Sequence, residues 1–154
     1  MRYPALHGNS DDYAYDATGQ VRWGRRAAGL LIRRDDTGAI FLALRSEDVM
    51  DPGLWGIPGG RVEPGQTDQE AAFEETLEEL GTLPPVEVVG EHIMQSGSFT
   101  YTTYVAVMAG ADAATWRPQL NWENDAWRWF QRLPHDTHPG VRATVRALRR
   151  RRRR

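Results

Sequence analysis

The chain has 154 residues, 21 acidic against 19 basic with every basic residue an arginine, a formal net charge of −2 and 40% hydrophobic content, enough for one domain near the usual size of about 100–150 residues. Having no cysteine, it excludes disulfides and thiolate metal sites, so any ion must be held by oxygen or imidazole. No apolar run approaches the roughly 20 residues of a membrane span, and the N-terminus, with Asp11 and Asp12, has no secretory apolar segment, so a cytoplasmic protein without a membrane role is expected.

Residues 1–22 hold Tyr3, Tyr13 and Tyr15 among turn-forming Gly8, Asn9, Ser10 and Gly19, without periodicity, and are expected to form an arm against the domain or a partner. Ala27 to Arg33 reads as a buried strand, Asp35-Asp36-Thr37-Gly38 as a hairpin turn, and Ala39 to Leu44 as the returning strand. Leu54-Trp55-Gly56-Ile57-Pro58-Gly59-Gly60 and Glu63-Pro64-Gly65 then make a strand end and a tight turn. A helix follows, because Thr67 and Glu70 form a capping box and Gly81 supplies a stop. At about 100° per residue, Phe73, Leu77 and Leu80 fall within roughly a 60° arc and are expected to pack, while Glu75, Glu78 and Glu79 cluster opposite. Those carboxylates, with Glu74 beside Glu78, repel one another; the face is either solvated or a site for a hard divalent cation such as Mg²⁺ or Mn²⁺. Further along, Val86 to Met94, Phe99 to Met108 and Ala126 to Phe130 suit strands, and Val141, Val145 and Leu148 give helical spacing over Arg142 to Leu148.

From Gly60 to Thr82 the chain resembles the signature of the Nudix hydrolases: a glycine, five residues, a glutamate, seven residues, then Arg-Glu-apolar-x-Glu-Glu-x-Gly-apolar. Gly60, Glu75, Glu78, Glu79 and Gly81 match in register. Gln66 stands for the first glutamate, Glu74 for the arginine, and Thr76 and Thr82 for the apolar positions. In the family the first glutamate and the arginine are understood to pair; here Gln66 can donate its amide to Glu74, keeping a bridge with its acidic side reversed. The resemblance covers residues 23–148 and implies the Nudix fold, an α/β/α sandwich with a mixed β-sheet. Domain organisation is then an arm over 1–22, the Nudix domain over 23–148 and an arginine-rich tail over 149–154.

The resemblance implies metal-dependent hydrolysis of a pyrophosphate bond in a nucleoside diphosphate-linked compound: a nucleoside triphosphate, a dinucleoside polyphosphate or a nucleotide sugar. Glu75 and Glu79 would be the principal ligands of Mg²⁺ or Mn²⁺, with Glu78 assisting and the Gly59 carbonyl completing the shell. Glu123, just before the strand Ala126 to Phe130, is the candidate general base or an extra ligand, against the alternative of an exposed loop acid. Arg45 and Arg61 flank the loop and could grip phosphates, and Trp55 could stack a base, although most of the aromatic residues must serve the core. His135 and His138 sit in a turn rather than a zinc site. Homodimers are frequent in the family. Two other readings stand beside the enzyme: a non-catalytic nucleotide-binding module, and an RNA-end-associated protein using the arginine tail. Residues 1–145 hold 12 arginines against 21 acids, so the terminal run could bind a polyanion, remain solvated, or fold back on the acidic body.

Overall fold

The computed structural model describes residues 13–15, 19, 21–23 and 25–153. Most of the expected N-terminal arm, and Arg154, lie outside these residues. Within the arm, β1 (Tyr13–Tyr15) pairs antiparallel with β2 (Val21–Trp23).

The main sheet is built on β3 (Arg26–Arg34), a strand with six consecutive buried residues. Such a run, rather than alternation, belongs to a strand covered on both faces. It pairs antiparallel with β4 (Ile40–Arg45) and with β6 (Gly59–Arg61), and parallel with β8 (Phe99–Met108). Outward from β4 lie β5 (Trp55–Gly56) and β9 (Asn124–Phe130); outward from β8 lies β7 (Val86–Ser96) with a bulge between Val88 and Gly90. The sheet is therefore mixed and seven-stranded.

Successive side chains of the central strands enter opposite layers. Ala28, Leu30, Ile32, Phe41, Tyr104, Ala106 and Met108 meet Ala71, Ala72 and Leu80 of α1 (Asp68–Leu80) and Ala113 of α2 (Gly110–Thr115). Leu31, Ile40, Leu42 and Val105 meet Val141 and Val145 of α3 (Pro139–Arg152). Two separate cores on the two faces of one sheet make the expected α/β/α sandwich. Among the described residues, no helix is long and apolar enough to cross a membrane.

The buried face of α1 differs from the expected one. Ala71, Ala72, Thr76, Glu79 and Leu80 are buried, Phe73 is half-buried, and Leu77 is 45% exposed. Ala71 and Ala72 present no bulk, so the helix lies close on the sheet through them and is turned by about a quarter revolution from the Phe73–Leu77–Leu80 axis. Thr76 can then occupy a fully buried position because its hydroxyl donates to the Ala72 carbonyl at 2.7 Å. The same rotation carries Glu79 inward and leaves Glu78 outward.

The boundary expected at 148/149 falls inside α3, which continues as helix through Arg152. Within the arginine run, the Arg151 guanidinium donates to the Glu91 carbonyl at 3.1 Å and lies 3.0 Å from His92 Nδ1, both neutral groups of β7. Burial and the Arg151 charge hold the His92 pKa below its usual value.

Candidate active site

The N-cap half of the capping box forms as the spacing predicts, with Thr67 Oγ1 accepting from the Glu70 N–H at 3.1 Å, while Glu70 Oε1 accepts from the Thr67 hydroxyl at 3.1 Å. At the other end Gly81 adopts φ 72°, and its N–H closes the helix on the Leu77 carbonyl at 2.9 Å. With α1 fixed at both ends, and the turn from β6 leading into it, the carboxylates acquire defined positions. Gln66 Nε2 donates to Glu74 as the sequence suggests, while Gln66 Oε1 accepts from the Glu63 N–H at 2.9 Å. This bridge ties the loop to the helix.

Glu75, Glu79 and Glu123 each bring a carboxylate oxygen to within 4.8 Å of the others. Glu79 is only 4% exposed and is clamped from two sides, by the Gly59 N–H on Oε2 at 2.8 Å and by Asn124 Nδ2 on Oε1 at 3.0 Å. Glu123 is steadied by Asn121, whose Nδ2 donates to Glu123 Oε2 at 3.2 Å and whose Oδ1 accepts from the Glu123 N–H at 3.0 Å. The loop carrying them is anchored to α1 where the Asn121 N–H reaches the Glu79 carbonyl at 3.1 Å. Glu75 has room only because residue 60 is glycine: a Cβ there would stand 2.5 Å from Glu75 Cδ.

Burial, followed by the charges of Glu78 and Glu123, pushes Glu75 up to about 7. Glu79 rises to about 8 because burial outweighs the opposing hydrogen bond from Asn124, with Glu123 adding repulsion. Three crowded carboxylates, of which Glu75 and Glu79 resist ionisation, are the donor set a small divalent cation relieves, since hard oxygen ligands balance its charge and fill part of its shell. The residues present fit such an ion.

Beside the carboxylates lies a cavity of about 560 Å³, with Gly59, Gly60 and Arg61 on one wall and the start of α3 on another. Its lining is mostly apolar, including Met50, Ile57, Met94, Phe99 and Tyr101. The size and character suit a small organic ligand held by few polar groups. Arg45 and Arg61 both line it. Arg45 also braces the following loop, donating from Nε to the Met50 carbonyl at 2.7 Å, and Arg61 Nε stands 3.9 Å from Glu63 Oε2.

Two expected site residues are placed elsewhere. Glu78 is exposed and stands outside the three-carboxylate group, because the quarter-turn of α1 directs it away from the sheet, although its charge still reaches Glu75. Trp55 does not line the cavity; its ring meets Phe130 edge-on at 4.9 Å in the α3-side core, and its backbone bonds to Asp136 and His138. Gly59 engages Glu79 through its N–H. His138 caps α3, its Nδ1 accepting from the Gly140 N–H at 3.0 Å, so the ring proton is on Nε2, 2.8 Å from Asp51 Oδ2 at the cavity.

Asn124 and Tyr101 are the residues that sequence reasoning passes over. The only available signal for Asn124 is its adjacency to Glu123. Tyr101 reads as packing in the sequence, yet its ring lines the cavity and its hydroxyl fills the space beside Gly29 and Gly59 so closely that a Cβ at either would collide with it. Burial raises the Tyr101 pKa, so the phenol stays neutral.

A NUDIX domain family model matches residues 23–146. A Mycobacterium tuberculosis protein with the provisional name 8-oxo-dGTP diphosphatase 3 is 32% identical over an alignment of 164 positions, covering 94% of this chain and 71% of that protein. The nucleoside triphosphate pyrophosphatase/Nudix hydrolase fusion protein of Bifidobacterium longum is 33% identical over 108 residues, 66% of this chain; the match spans only 22% of the fusion protein's length. Among solved structures, a Nudix hydrolase from Mycobacterium smegmatis, RenU, superposes with TM-score 0.73 at 28% identity, covering 92% of this chain and 94% of that one. The chain belongs to the Nudix hydrolase family.

Proposed function

We propose that the chain hydrolyses a pyrophosphate bond in a nucleoside diphosphate-linked compound, with Mg²⁺ or Mn²⁺. The observation that carries this reading is the convergence of Glu75, Glu79 and Glu123 at the edge of a largely apolar cavity whose wall also holds Arg45 and Arg61. Such a site separates the two tasks that the substrate sets: charge is handled at the carboxylates, and the organic group has an apolar place beside them.

Glu75 and Glu79 serve as the principal ligands, with the Gly59 carbonyl completing the set, while Glu78, exposed outside the three-carboxylate group, assists through its charge, which reaches Glu75. When bound, the ion supplies neutralisation of the phosphate oxygens and a lowered pKa for water. Asn124 and the Gly59 N–H fix Glu79 at one orientation and partly offset the burial that raises its pKa, as outer partners of a metal ligand do. Glu123, steadied by Asn121, is an additional ligand or the base that takes the proton from attacking water. Arg45 and Arg61 contact the phosphates, where a guanidinium offers paired N–H donors. The names of the relatives, a diphosphatase and a nucleoside triphosphate pyrophosphatase fusion, support a nucleoside triphosphate as the first substrate to test.

The test is release of phosphate or pyrophosphate from a panel of nucleoside triphosphates, dinucleoside polyphosphates and nucleotide sugars with each metal. Glu79→Gln should abolish turnover, and Glu123→Gln should lower kcat by at least about tenfold, a general base contributing typically about 10²–10⁴-fold. Binding of nucleotides by the wild-type chain with no release above the Glu79→Gln background would instead make it a non-catalytic module. An unchanged rate in Glu123→Gln with intact metal affinity removes that residue from the mechanism.

A further inference from the structure

We propose that the outer face of α3 is a docking surface for the phosphate backbone of a single-stranded nucleic acid, one end of which enters the catalytic cavity. Arg142, Arg146 and Arg149 recur at helical spacing on one side of α3. Across from them Arg132, in the connection after β9, closes a recess of about 340 Å³ whose remaining lining is Leu133 and Val145. Four guanidinium groups thus converge on one hollow.

Among the described residues, no carboxylate pairs with Arg132, Arg142, Arg146 or Arg149. Arg142 is held in place by a neutral acceptor, the Pro134 carbonyl at 2.7 Å, which orients the group without cancelling it. Like charges four residues apart on a helix oppose one another, so the cluster calls for an anion from outside. Arg150 and Arg153 are exposed further along the same helix end, extending the basic region to about 16 Å from Arg142 at 1.5 Å per residue.

The chemistry favours phosphate in a chain. Guanidinium forks match phosphate oxygens with two parallel hydrogen bonds, and a row of them fits successive phosphates rather than one. A membrane surface is a poorer partner: α3 turns Val141 and Val145 into the core, and among the described residues the large exposed apolar ones, Leu77, Leu83, Val89, Ile93 and Trp122, all lie off this helix. A membrane-bound helix needs an outward apolar face. The two hollows are also neighbours. Val141, Ala143 and Thr144 line the catalytic cavity while Arg142, Val145 and Arg146 line the recess, so the opening turns of one helix separate them. A strand lying on the arginines passes into the cavity around Pro139 and Gly140. This last step rests on the hydrolase reading; the docking itself does not.

Fluorescence anisotropy of a single-stranded oligoribonucleotide titrated with the full chain at several salt concentrations tests the surface. The triple variant Arg132→Gln/Arg146→Gln/Arg149→Gln should weaken binding by about tenfold or more and reduce the slope of log K against log salt by about 2, near 0.7 for each phosphate no longer neutralised. Nucleoside triphosphate turnover should stay unchanged, while KM for a 5′-triphosphorylated oligonucleotide should rise by about tenfold. Equal affinity and equal salt slope in the two proteins would overturn the proposal, as would tighter binding to phosphatidylserine vesicles than to RNA. RNA binding that depends on the arginines in a chain that turns over no nucleotide would leave the surface standing and overturn the hydrolase reading alone.

Discussion

Replacing Gly60 by alanine is expected to disable the site while sparing the fold. The added Cβ would stand 2.5 Å from Glu75 Cδ and 2.6 Å from Glu75 Oε2. Carbon contacts settle near 3.5–4.0 Å, so the Glu75 carboxylate must withdraw by about 1 Å. That displacement opens a group whose members lie within 4.8 Å of one another. A shift of about 1 Å in a catalytic constellation costs on the order of 10²-fold in rate. The assay is kcat and the Mg²⁺ concentration giving half-maximal rate, with thermal unfolding as the control. Glu75 is half-buried and can swing outward, so Tm should fall little. Adding Glu75→Asp, one methylene shorter, should recover part of the missing metal affinity. Full activity and unaltered metal affinity in Gly60→Ala would refute the placement of Glu75 as a ligand.

Two further expectations concern charge. Because the folded-state pKa values of Glu75 and Glu79 are raised from 4.5 to about 7 and about 8, their contribution to stability is fully present below about 4.5 and is lost as pH rises through 7 and 8. In chelator, Tm should therefore fall between pH 6 and pH 9, and Mg²⁺ should raise Tm more at the alkaline end, where it replaces no protons; a metal-induced shift independent of pH would contradict this. The Gln66–Glu74 bridge should appear as coupling in urea denaturation. Glu74→Arg alone should destabilise, and adding Gln66→Glu should restore about 0.2–1 kcal/mol through an exposed ion pair. Strict additivity of the two changes would show that the bridge contributes nothing.

Local chemistry decides a good deal of this protein. Thr67, Glu70 and Gly81 delimit α1 through contacts within the helix itself, and β3, β4, β8 and β9 are legible from apolar and β-branched runs, so the elements and the family resemblance follow from residues near one another in the chain. The Gln66–Glu74 bridge is also legible, since both partners flank one turn. What periodicity does not settle is which side of α1 meets the sheet. Two alanines at its start allow a closer approach than Phe73 and Leu77 would, and that contact, made with β3 and β6, sends Glu79 inward and Glu78 out.

Long-range partners are beyond reach for the same reason. Asn124 clamps Glu79 across 45 positions of sequence, Glu123 joins Glu75 only when β9 pairs with β4, and Tyr101 lies behind Gly59 only because β3 pairs with both β6 and β8. Trp55, attractive as a stacking ring in the sequence, is committed to Phe130 by the same sheet. Sequence by itself determined the helix, its acidic side chains and the turn that leads into it, because those depend on interactions spanning a few residues. Tertiary packing alone chose which carboxylates meet and what cavity they border, because a helix's rotation on a sheet is set by the bulk of the side chains between them.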